Sequence, residues 1–239
     1  MEWFQEGHVA IVTGGSRGLG KALAHALLER GLRVIIDARD AAELERTRRT
    51  LAEAGEIVAI AGDVTDSGHA HALIAAAERF GRLDLLVNNA STLGKTPLPE
   101  IARLDRETFC ALFDVNVFAP IHLIQHALPL LKRAEVGTIV NVTSDAGVEA
   151  YPTWGGYGAT KAALEHVSRV LAVELEATPV RVLAFDPGDM DTDMHRAAIP
   201  NADRADLRDP ASSARALIDA IAGMDAHFRR VRAEEPTLA

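Results

Sequence analysis

The sequence of 239 residues is poor in cysteine, in aromatic side chains and in basic charge. Its single thiol, Cys110, cannot form an internal disulfide, which is typical of a reducing compartment. We expect Cys110 to be a small buried apolar side chain. The 25 lysines and arginines face 34 acids, a net charge of −9, and they are dispersed among those acids. This composition argues against a nucleic-acid partner, which usually requires a basic face.

Two kinds of targeting segment are also missing from the pattern. The N-terminal residues MEWFQEG carry two acids and no basic region, so they do not resemble a secretory signal. No apolar run approaches the ~20 residues that a membrane span needs. We therefore expect a cytoplasmic protein without a membrane partner.

The sequence does contain a regular alternation of short β-branched runs and longer amphipathic runs. The expected strands are residues 8–13, 33–36, 56–61, 83–88, 137–143 and 180–186. The expected helices are residues 20–30, 41–54, 68–80, 105–132, 157–177 and 210–223. Pro120 and Pro129 fall inside the fourth helix and predict a kink or an early end there. The alternation predicts one α/β domain with a doubly wound parallel sheet. For the tail from about residue 224, a short strand at 228–232 and partial disorder both remain open.

A glycine-rich loop, TGGSRGLG at residues 13–20, connects the first expected strand to the first expected helix. Glycines let a backbone turn tightly and approach a pyrophosphate, and a helix N-terminus supplies N–H groups and a positive dipole. A plain strand-to-helix turn is the alternative. The position of the loop favours a dinucleotide site.

The end of the second expected strand, at residues 37–40, bears on the choice of dinucleotide. An acid at this place binds a ribose 2′-hydroxyl and selects NAD, whereas an arginine accepts a 2′-phosphate and selects NADP. Arg39 and the loop residue Arg17 would jointly hold a phosphate. Asp37 complicates this interpretation, and its structural alternative is to cap the following turn.

Seven motifs follow one another in a fixed order along the chain. They are TGGSRGLG (13–20), GDV (62–64), NNAS (88–91), Asn116 within DVNVFAP, Ser144 within NVTSDAG, YGATK (157–161) and DPGDMDT (186–192). With these motifs the chain resembles the short-chain dehydrogenase/reductase family, which has a Rossmann fold, over nearly its whole length. Ser144 and Tyr157 stand thirteen residues apart, the spacing that the resemblance requires.

The resemblance implies four catalytic residues. Tyr157 would exchange a proton with the substrate oxygen, and Lys161, one helical turn away, would lower its pKa and hold the nicotinamide ribose. Ser144 would position the substrate oxygen, and Asn116 would hold a water that connects Lys161 to solvent. Each has a structural alternative: a strand-end cap for Ser144, a helix-surface position for Asn116, and a solvated pairing with Glu165 for Lys161.

The resemblance also implies a cofactor groove, with NADP(H) favoured over NAD(H). Position 38 is alanine where NAD-preferring members carry an acid, and Arg39 stands where NADP-preferring members carry a base. The expected groove residues are Gly14, Ser16, Arg17, Gly18, Leu19, Gly20, Arg39, Asp63, Val64, Asn88, Asn89, Ala90, Tyr157, Lys161, Pro187, Gly188 and Thr192. Ser91 departs from the glycine that the family most often has, and would narrow the pocket or add a hydroxyl near the nicotinamide ribose.

The expected substrate is a small carbonyl compound or alcohol, held by residues 91–98, 145–154 and 189–202. The residues expected to contact it are Ser144, Tyr151, Trp154, Met190 and Met194. For Tyr151 and Trp154, packing or a subunit interface is the alternative role.

Metal binding and self-association are the remaining questions that the sequence raises. The close pairs His122/His126 and His69/His71 lack the glutamate of a zinc helix, so we expect no metal. The resemblance implies that helices 105–132 and 157–177 pair across a two-fold axis. Because the tail lacks the family's glycine-rich final strand, a homodimer is favoured over a homotetramer.

The expected function is therefore an NADP(H)-dependent oxidoreductase that interconverts a carbonyl and a secondary alcohol. The first rival is a catalytically silent, dinucleotide-sensing regulator, a kind of protein that typically loses the tyrosine or lysine. The second is a cofactor-free halohydrin-type lyase, which would have an altered loop and usually arginine in place of Lys161.

Overall fold

The structure is a computed structural model that describes residues 4–233. Its strands are β1 (Val9–Val12), β2 (Arg33–Ala38), β3 (Ile57–Ala61), β4 (Leu85–Asn88), β5 (Gly137–Val142), β6 (Val180–Asp186) and β7 (Phe228–Arg232). Its α-helices are α1 (Gly18–Leu28), α2 (Ala41–Leu51), α3 (Ser67–Arg79), α4 (Arg106–Phe113), α5 (Ala119–Leu131), α6 (Gly155–Glu174), α7 (Asp193–Ala198) and α8 (Pro210–Ala222). These elements form a single domain.

The seven strands form one sheet in the order β3-β2-β1-β4-β5-β6-β7, and all neighbouring pairs are parallel. Residues of α1, α2 and α8 build the apolar core on one face of the sheet, and residues of α3, α5 and α6 build it on the other. Because helices cover both faces, the central strands are buried at every position. The predicted doubly wound parallel sheet is confirmed.

The chain order reverses at β1, which has β2 on one side and β4 on the other. In an open α/β sheet, ligands bind outside the carboxyl ends of the strands at such a switch point. The glycine loop follows β1, and the NNAS segment follows β4, so both lie at this edge.

The structure resolves the ambiguous tail as β7, which pairs with β6 from Val182↔Phe228 to Asp186↔Arg232. Residues 234–239, to which the expectation of disorder also applied, lie outside the described residues. The sequence patterns did not predict α7, because a helix of six residues is too short to show a helical period.

The expected helix at residues 105–132 is interrupted by a π-helical turn at Asp114–Phe118, between α4 and α5. Pro120 has no N–H to donate, so an α-helical bond to the carbonyl four residues before it cannot form. In the turn, Ala119 N–H instead donates to Asp114 O, five residues back. The helix continues past this interruption through Pro129 to Leu131.

This helical stretch, Arg106–Leu131, is long and apolar enough by composition to cross a bilayer, the one such stretch in the part of the chain that the structure describes. Of its most apolar window, 44% is buried inside the protein. Core helices of globular domains pass the same test by composition. The expectation of no membrane partner stays a prediction.

The prediction that Cys110 is buried is wrong. This residue is exposed on α4. The buried residues of that helix are Thr108 and Leu112, and Cys110 points away from the face that they define.

Candidate active site

The glycine loop has the backbone that a pyrophosphate site requires. Gly14 and Gly18 have φ values of +67° and +54°, and a Cβ on Gly20 would stand 2.4 Å from the Gly14 carbonyl oxygen. Helix α1 begins at Gly18 with no side-chain cap and no acid in its first turn. Its first N–H groups are therefore directed at the loop without an internal competitor, and the loop fits a dinucleotide phosphate.

Asp37 holds this loop in place. Its Oδ1 accepts the Gly14 N–H at 2.7 Å, and its Oδ2 lies 2.9 Å from His69 Nε2 on α3. Asp37 and His69 are both buried. The carboxylate therefore faces the loop and α3, and neither the turn-cap role nor the ribose-binding role describes these contacts.

The asparagines after β4 connect the sheet to the loop. Asn89 Nδ2 donates to the carbonyl oxygens of Thr13 and Gly14, at 2.7 and 3.3 Å. Asn88 donates to Asn141 on β5 at 2.8 Å. In both residues these hydrogen bonds use the amide group for support of the groove.

A cleft of ≈ 280 Å³ runs beside the loop, between α3 and α5. It is lined by Thr13, Val64, His69, Ala70, Leu73, Asn88, Ala90, Val115, Ala119, Pro120 and Leu123. The structure thus brings Val64, Asn88 and Ala90 together, as predicted for the cofactor groove. Asp63 is bound by Thr65, whose backbone N–H is the main cause of its lowered pKa.

The two arginines proposed as a phosphate clamp have different neighbours. Arg17 forms an ion pair with Asp193 of α7, Nη1 to Oδ2 3.2 Å. Arg39 is exposed at the end of β2, and its charge contributes to the lowered pKa of Asp63. Both side chains are exposed. No contact holds the two guanidinium groups together in an arrangement that would bind one phosphate.

Tyr157 and Lys161 lie on one side of α6, with Lys161 Nζ 5.4 Å from the centre of the Tyr157 ring. Lys161 is buried and donates to the carbonyl of Val142 at 2.9 Å. Burial lowers the pKa of Lys161 to about 8. Glu165 pairs instead with Arg169 and Arg230, so the alternative of a solvated Lys161–Glu165 pair is wrong.

Tyr157 is held between hydroxyls and carboxylates. Burial is the main cause that raises its pKa, and the charges of Asp186 and Asp145 add to it. Hydrogen bonding with Ser91 and Ser144 acts in the opposite direction. Ser91 therefore places its hydroxyl beside the tyrosine.

Asn116 sits in the π-helical turn and is 1% exposed. Its Oδ1 accepts from Ser91 Oγ (3.1 Å) and Thr92 N–H (2.9 Å). Its Nδ2 donates to Thr92 O (2.9 Å) and Thr160 Oγ1 (3.0 Å). The helix-surface alternative for Asn116 is thus wrong. The turn, a feature often found at functional sites, carries this side chain against the segment after β4.

Ser144 has the capping role considered for it, and its substrate-positioning role stays a prediction. Its Oγ accepts the Ala146 N–H at 3.2 Å, which caps a short 3₁₀ turn, and it donates to Asp145 Oδ1 at 3.0 Å. The hydroxyl also reaches Tyr157. Ser144, Tyr157 and Lys161 are therefore assembled around one point at the end of β5.

Tyr151 and Trp154 lie on the segment before α6. The Tyr151 hydroxyl donates to Asp145 Oδ2 at 3.1 Å, and the Trp154 ring contacts the Tyr157 ring edge-on at 5.7 Å between centres. Between them Thr153 has φ +72°, a costly backbone conformation for a β-branched residue. A second, small pocket adjoins Thr153 and Tyr157. Its other lining residues are Leu93, Leu98, Pro99, Leu104, Thr108, Leu112 and Gly156.

The segment after β6 covers the glycine loop. Thr192 caps α7 by accepting the His195 N–H, and its Cγ2 would lie 3.3 Å from a Cβ on Gly18. Pro187 O accepts from Ser213, and Gly188 has φ +70°. Met190 packs against the apolar core on the α1 face, whereas Met194 is half-buried on α7.

Several residues support the site in ways that the sequence analysis did not predict: Asp37, His69, Asn141, Asp145, Asp186 and Arg232. Asp145 and Asp186 stand inside quoted motifs, a usable signal. The others are joined to the site only by contacts between distant parts of the chain.

The histidines of α3 and α5 form a cluster, with the His71 and His122 rings 4.3 and 4.5 Å from that of His126. Within residues 4–233, no three histidine, cysteine, aspartate or glutamate side chains are arranged to hold a metal ion.

Comparison with known proteins agrees with this geometry. A family model described as short chain dehydrogenase matches residues 8–203. The chain is 38% identical over 208 residues to the rhamnolipids biosynthesis 3-oxoacyl-[acyl-carrier-protein] reductase of Pseudomonas aeruginosa, covering 84% of this chain and 80% of that protein.

Solved structures are similar over almost the whole chain. A short chain dehydrogenase from Salmonella enterica serovar Typhi superposes with a TM-score of 0.87 at 25% identity, covering 98% of both chains. A Shigella flexneri protein, solved in complex with NADP, gives 0.88 at 26% identity over 98% of this chain and 100% of that one. The chain belongs to the short-chain dehydrogenase family and is an oxidoreductase, in a family that uses NAD(P) and acts on small molecules.

Proposed function

We propose that the protein is an NADP(H)-dependent oxidoreductase that interconverts a small carbonyl compound and a secondary alcohol, with Tyr157 as the proton donor and acceptor. The observation that carries the proposal is the convergence of Ser144, Tyr157 and Lys161 at the open end of the sheet, beside a glycine loop that fits a dinucleotide. The P. aeruginosa relative is named as a reductase of a carbonyl group, which supports the direction of the proposal.

The loop of residues 14–20, the cleft beside α3 and the segment 187–192 would hold the cofactor. When bound, NADP(H) supplies or accepts the hydride. Arg39, exposed at the end of β2, and Arg17 are the two cations available for a 2′-phosphate. Because Asp37 is occupied by Gly14 and His69, no acid competes with the phosphate from that position.

The side chains of the site would act as a positioned proton donor. Ser144 and Tyr157 would both hydrogen-bond the substrate oxygen, and Tyr157 would donate its proton as negative charge develops there. The hydrogen bonds that Tyr157 shares with Ser91 and Ser144 favour the phenolate. The Lys161 ammonium, 5.4 Å from the ring centre, favours it through its positive charge. These interactions oppose the burial and the two carboxylates, which on balance raise the pKa of Tyr157.

The rival functions have less support. A silent regulator has no use for the buried Lys161 beside Tyr157, which carries a desolvation cost. A halohydrin-type lyase has no use for an open phosphate-binding loop. Cytoplasmic location and a small-molecule partner, with no nucleic acid, complete the proposal.

The test is a panel of carbonyls and alcohols run with NADPH and NADH in parallel. We expect kcat/KM with NADPH to exceed that with NADH by about tenfold or more, the size of one lost charge-assisted contact. Tyr157→Phe should lower kcat by about 10²- to 10⁴-fold and leave NADPH affinity close to that of the unmodified protein.

Two further variants separate the parts of the proposal. Arg39→Leu should weaken NADPH binding and leave NADH unchanged, whereas Arg49→Leu, an equally exposed cation on α2, should change neither. Full activity in Tyr157→Phe would refute the mechanism. A preference for NADH would refute the cofactor assignment alone.

A further inference from the structure

The edge strand β7 carries three arginines in the sequence FRRVR. The register Asp186↔Arg232 and Ala184↔Arg230 places Arg230 and Arg232 on the same face of the sheet as Asp186, because side chains alternate along a strand. Arg229 points to the opposite face, where it donates to Gly223 O. Two of the three cations are thus directed at the side of the sheet that bears α6 and Tyr157.

Arg232 connects two carboxylates beside the site. Its Nη2 lies 3.4 Å from Asp145 Oδ2, across 87 residues of sequence, and its Nε lies 3.6 Å from Asp186 Oδ2. Arg230 approaches the same Asp186 oxygen at 3.7 Å and is itself fixed by the buried Glu165 at 2.9 Å.

The two arginines stabilise the buried carboxylate of Asp186. Its side chain is 2% exposed, and its Oδ2 has no hydrogen-bond partner apart from the two longer ion pairs. Burial raises the pKa of Asp186, and the charges of Arg232 and Arg230 oppose that effect. A buried carboxylate without a counterion carries a large free-energy cost.

Asp145 connects Arg232 to Ser144, the residue that would position the substrate oxygen. One of its oxygens accepts the Ser144 hydroxyl, and the other accepts the Tyr151 hydroxyl together with Arg232. The orientation of the Ser144 hydroxyl therefore depends on where Asp145 is held.

The charged groups that face Tyr157 are Lys161 from α6, Asp145 after β5 and Asp186 at the end of β6. Arg232 from β7 contacts both carboxylates, so it partly neutralises the charge that opposes a phenolate. Its side chain is half exposed, so solvent screens the effect.

We propose that Arg232 and Asp145 form a positioning pair, in which Arg232 fixes the Asp145 carboxylate that orients Ser144 and offsets the negative charge around Tyr157. This inference rests on the proposed function, because it assigns the pair to the proton transfer at Tyr157. Arg232, on strand β7, is then part of the active site.

The experiment is the pH dependence of alcohol oxidation with NADP⁺, which requires the Tyr157 phenolate and therefore rises with pH. Arg232→Gln removes the positive charge, so its rising limb should move to higher pH by about 0.5 to 1 unit. Asp145→Asn removes a negative charge and should move the limb to lower pH, with a several-fold lower kcat because a neutral amide oxygen orients the Ser144 hydroxyl less strongly than a carboxylate does. Arg232→Lys, which keeps the charge, should restore most of the shift.

Arg229→Gln is the matched control, since it removes the same charge from the same strand on the other face, and its profile should coincide with that of the unmodified protein. A purely structural role would move the rising limb in the same direction in both variants. Opposite movements of the limb in Arg232→Gln and Asp145→Asn therefore exclude such a role. A folded Arg232→Gln with an unchanged profile would overturn the proposal. Should that variant not fold, an unmoved limb in Asp145→Asn would overturn it.

A second readout separates this inference from the proposed function. The chain has two tyrosines, Tyr151 and Tyr157, so the phenolate absorption of the NADP⁺ complex, compared with that of Tyr157→Phe, reports Tyr157 alone. If no alcohol is oxidised, the proposed function fails, and the phenolate titration still decides whether Arg232→Gln moves Tyr157 ionisation to higher pH. No movement there refutes the pair.

Discussion

At the scale of single residues, Asp37 shows how a side chain beside a ligand site acquires a structural role. From sequence it was either the acid that selects NAD or a cap for the next turn. In the structure it bridges the Gly14 N–H and His69, so it fixes the glycine loop to α3 and leaves Arg39 without an acidic rival at that position. Under the proposed function, the cofactor preference and the stability of the loop depend on different residues.

Asp37→Ala should lower the free energy of unfolding by about 2 to 4 kcal/mol, because it leaves the Gly14 N–H and His69 without their partner. Cofactor KM should rise for NADPH and NADH alike, measured beside denaturant unfolding. Asp40→Ala, which removes the exposed N-cap of α2, is the control and should cost less. A variant of unchanged stability that lost only NADH binding would show that Asp37 is the ribose acid after all.

At the scale of elements, α3 and α5 are joined by both the cofactor-side cleft and the histidine cluster. His71, His122 and His126 pack ring against ring across this helix pair. Desolvation is the main cause that lowers the pKa of His126, and the neighbouring His71 and His122 charges add to it. The neutral form of His126 is thus favoured, and this side chain resists protonation.

Stability should consequently fall on acidification. Because the pKa of His126 is lower in the folded state, the unfolded chain binds a proton first; the penalty is absent above the ordinary histidine pKa of about 6.5 and grows as pH falls below it. In His126→Gln, the loss of Tm between about pH 8 and pH 5 should be smaller than in the unmodified protein. His25→Gln, at an exposed histidine, is the control. If Tm falls with pH equally in His126→Gln and in the unmodified protein, the histidine cluster is not the cause.

The elements were predictable because they follow local rules, and the candidate catalytic residues were named from the family resemblance. Strand and helix periods gave six strands and most helices, and the spacing of Ser144, Tyr157 and Lys161 predicted a site that the structure assembles. The contacts that hold the site are long-range. His69 lies 32 residues from Asp37 and Arg232 lies 87 residues from Asp145, and no local period records such pairs. The exposure of Cys110 was not predicted, because the residue type alone does not show which face of a helix a side chain lies on.

At the scale of the whole molecule, exposed apolar side chains lie on the two helices that were predicted to pair across a two-fold axis. Phe118 precedes α5 and is 57% exposed, and Val173 on α6 is 73% exposed. Val170, one turn before Val173, is also exposed. Large exposed apolar groups of this kind commonly mark interfaces, so the expected homodimer has a surface available.

Val173→Glu should shift the protein from dimer to monomer in sedimentation velocity, because a charge buried in a two-fold interface meets its own copy. Ala52→Glu adds the same charge on the exposed end of α2 and should leave the mass unchanged. If the unmodified protein sediments as a monomer at all concentrations, the dimer assignment is wrong; a tetramer that survives Val173→Glu points to a different interface.

The position of β7 has a consequence for the order of events during synthesis. Every other strand leaves the ribosome before β7, so the sheet can pair from β3 to β6 while Asp186 still lacks both of its cations. Docking of β7 then supplies Arg230 and Arg232 to carboxylates already enclosed by α6. Pairing of the last described strand and completion of the ion pairs at Asp186 and Asp145 therefore coincide in one late step, the docking of β7.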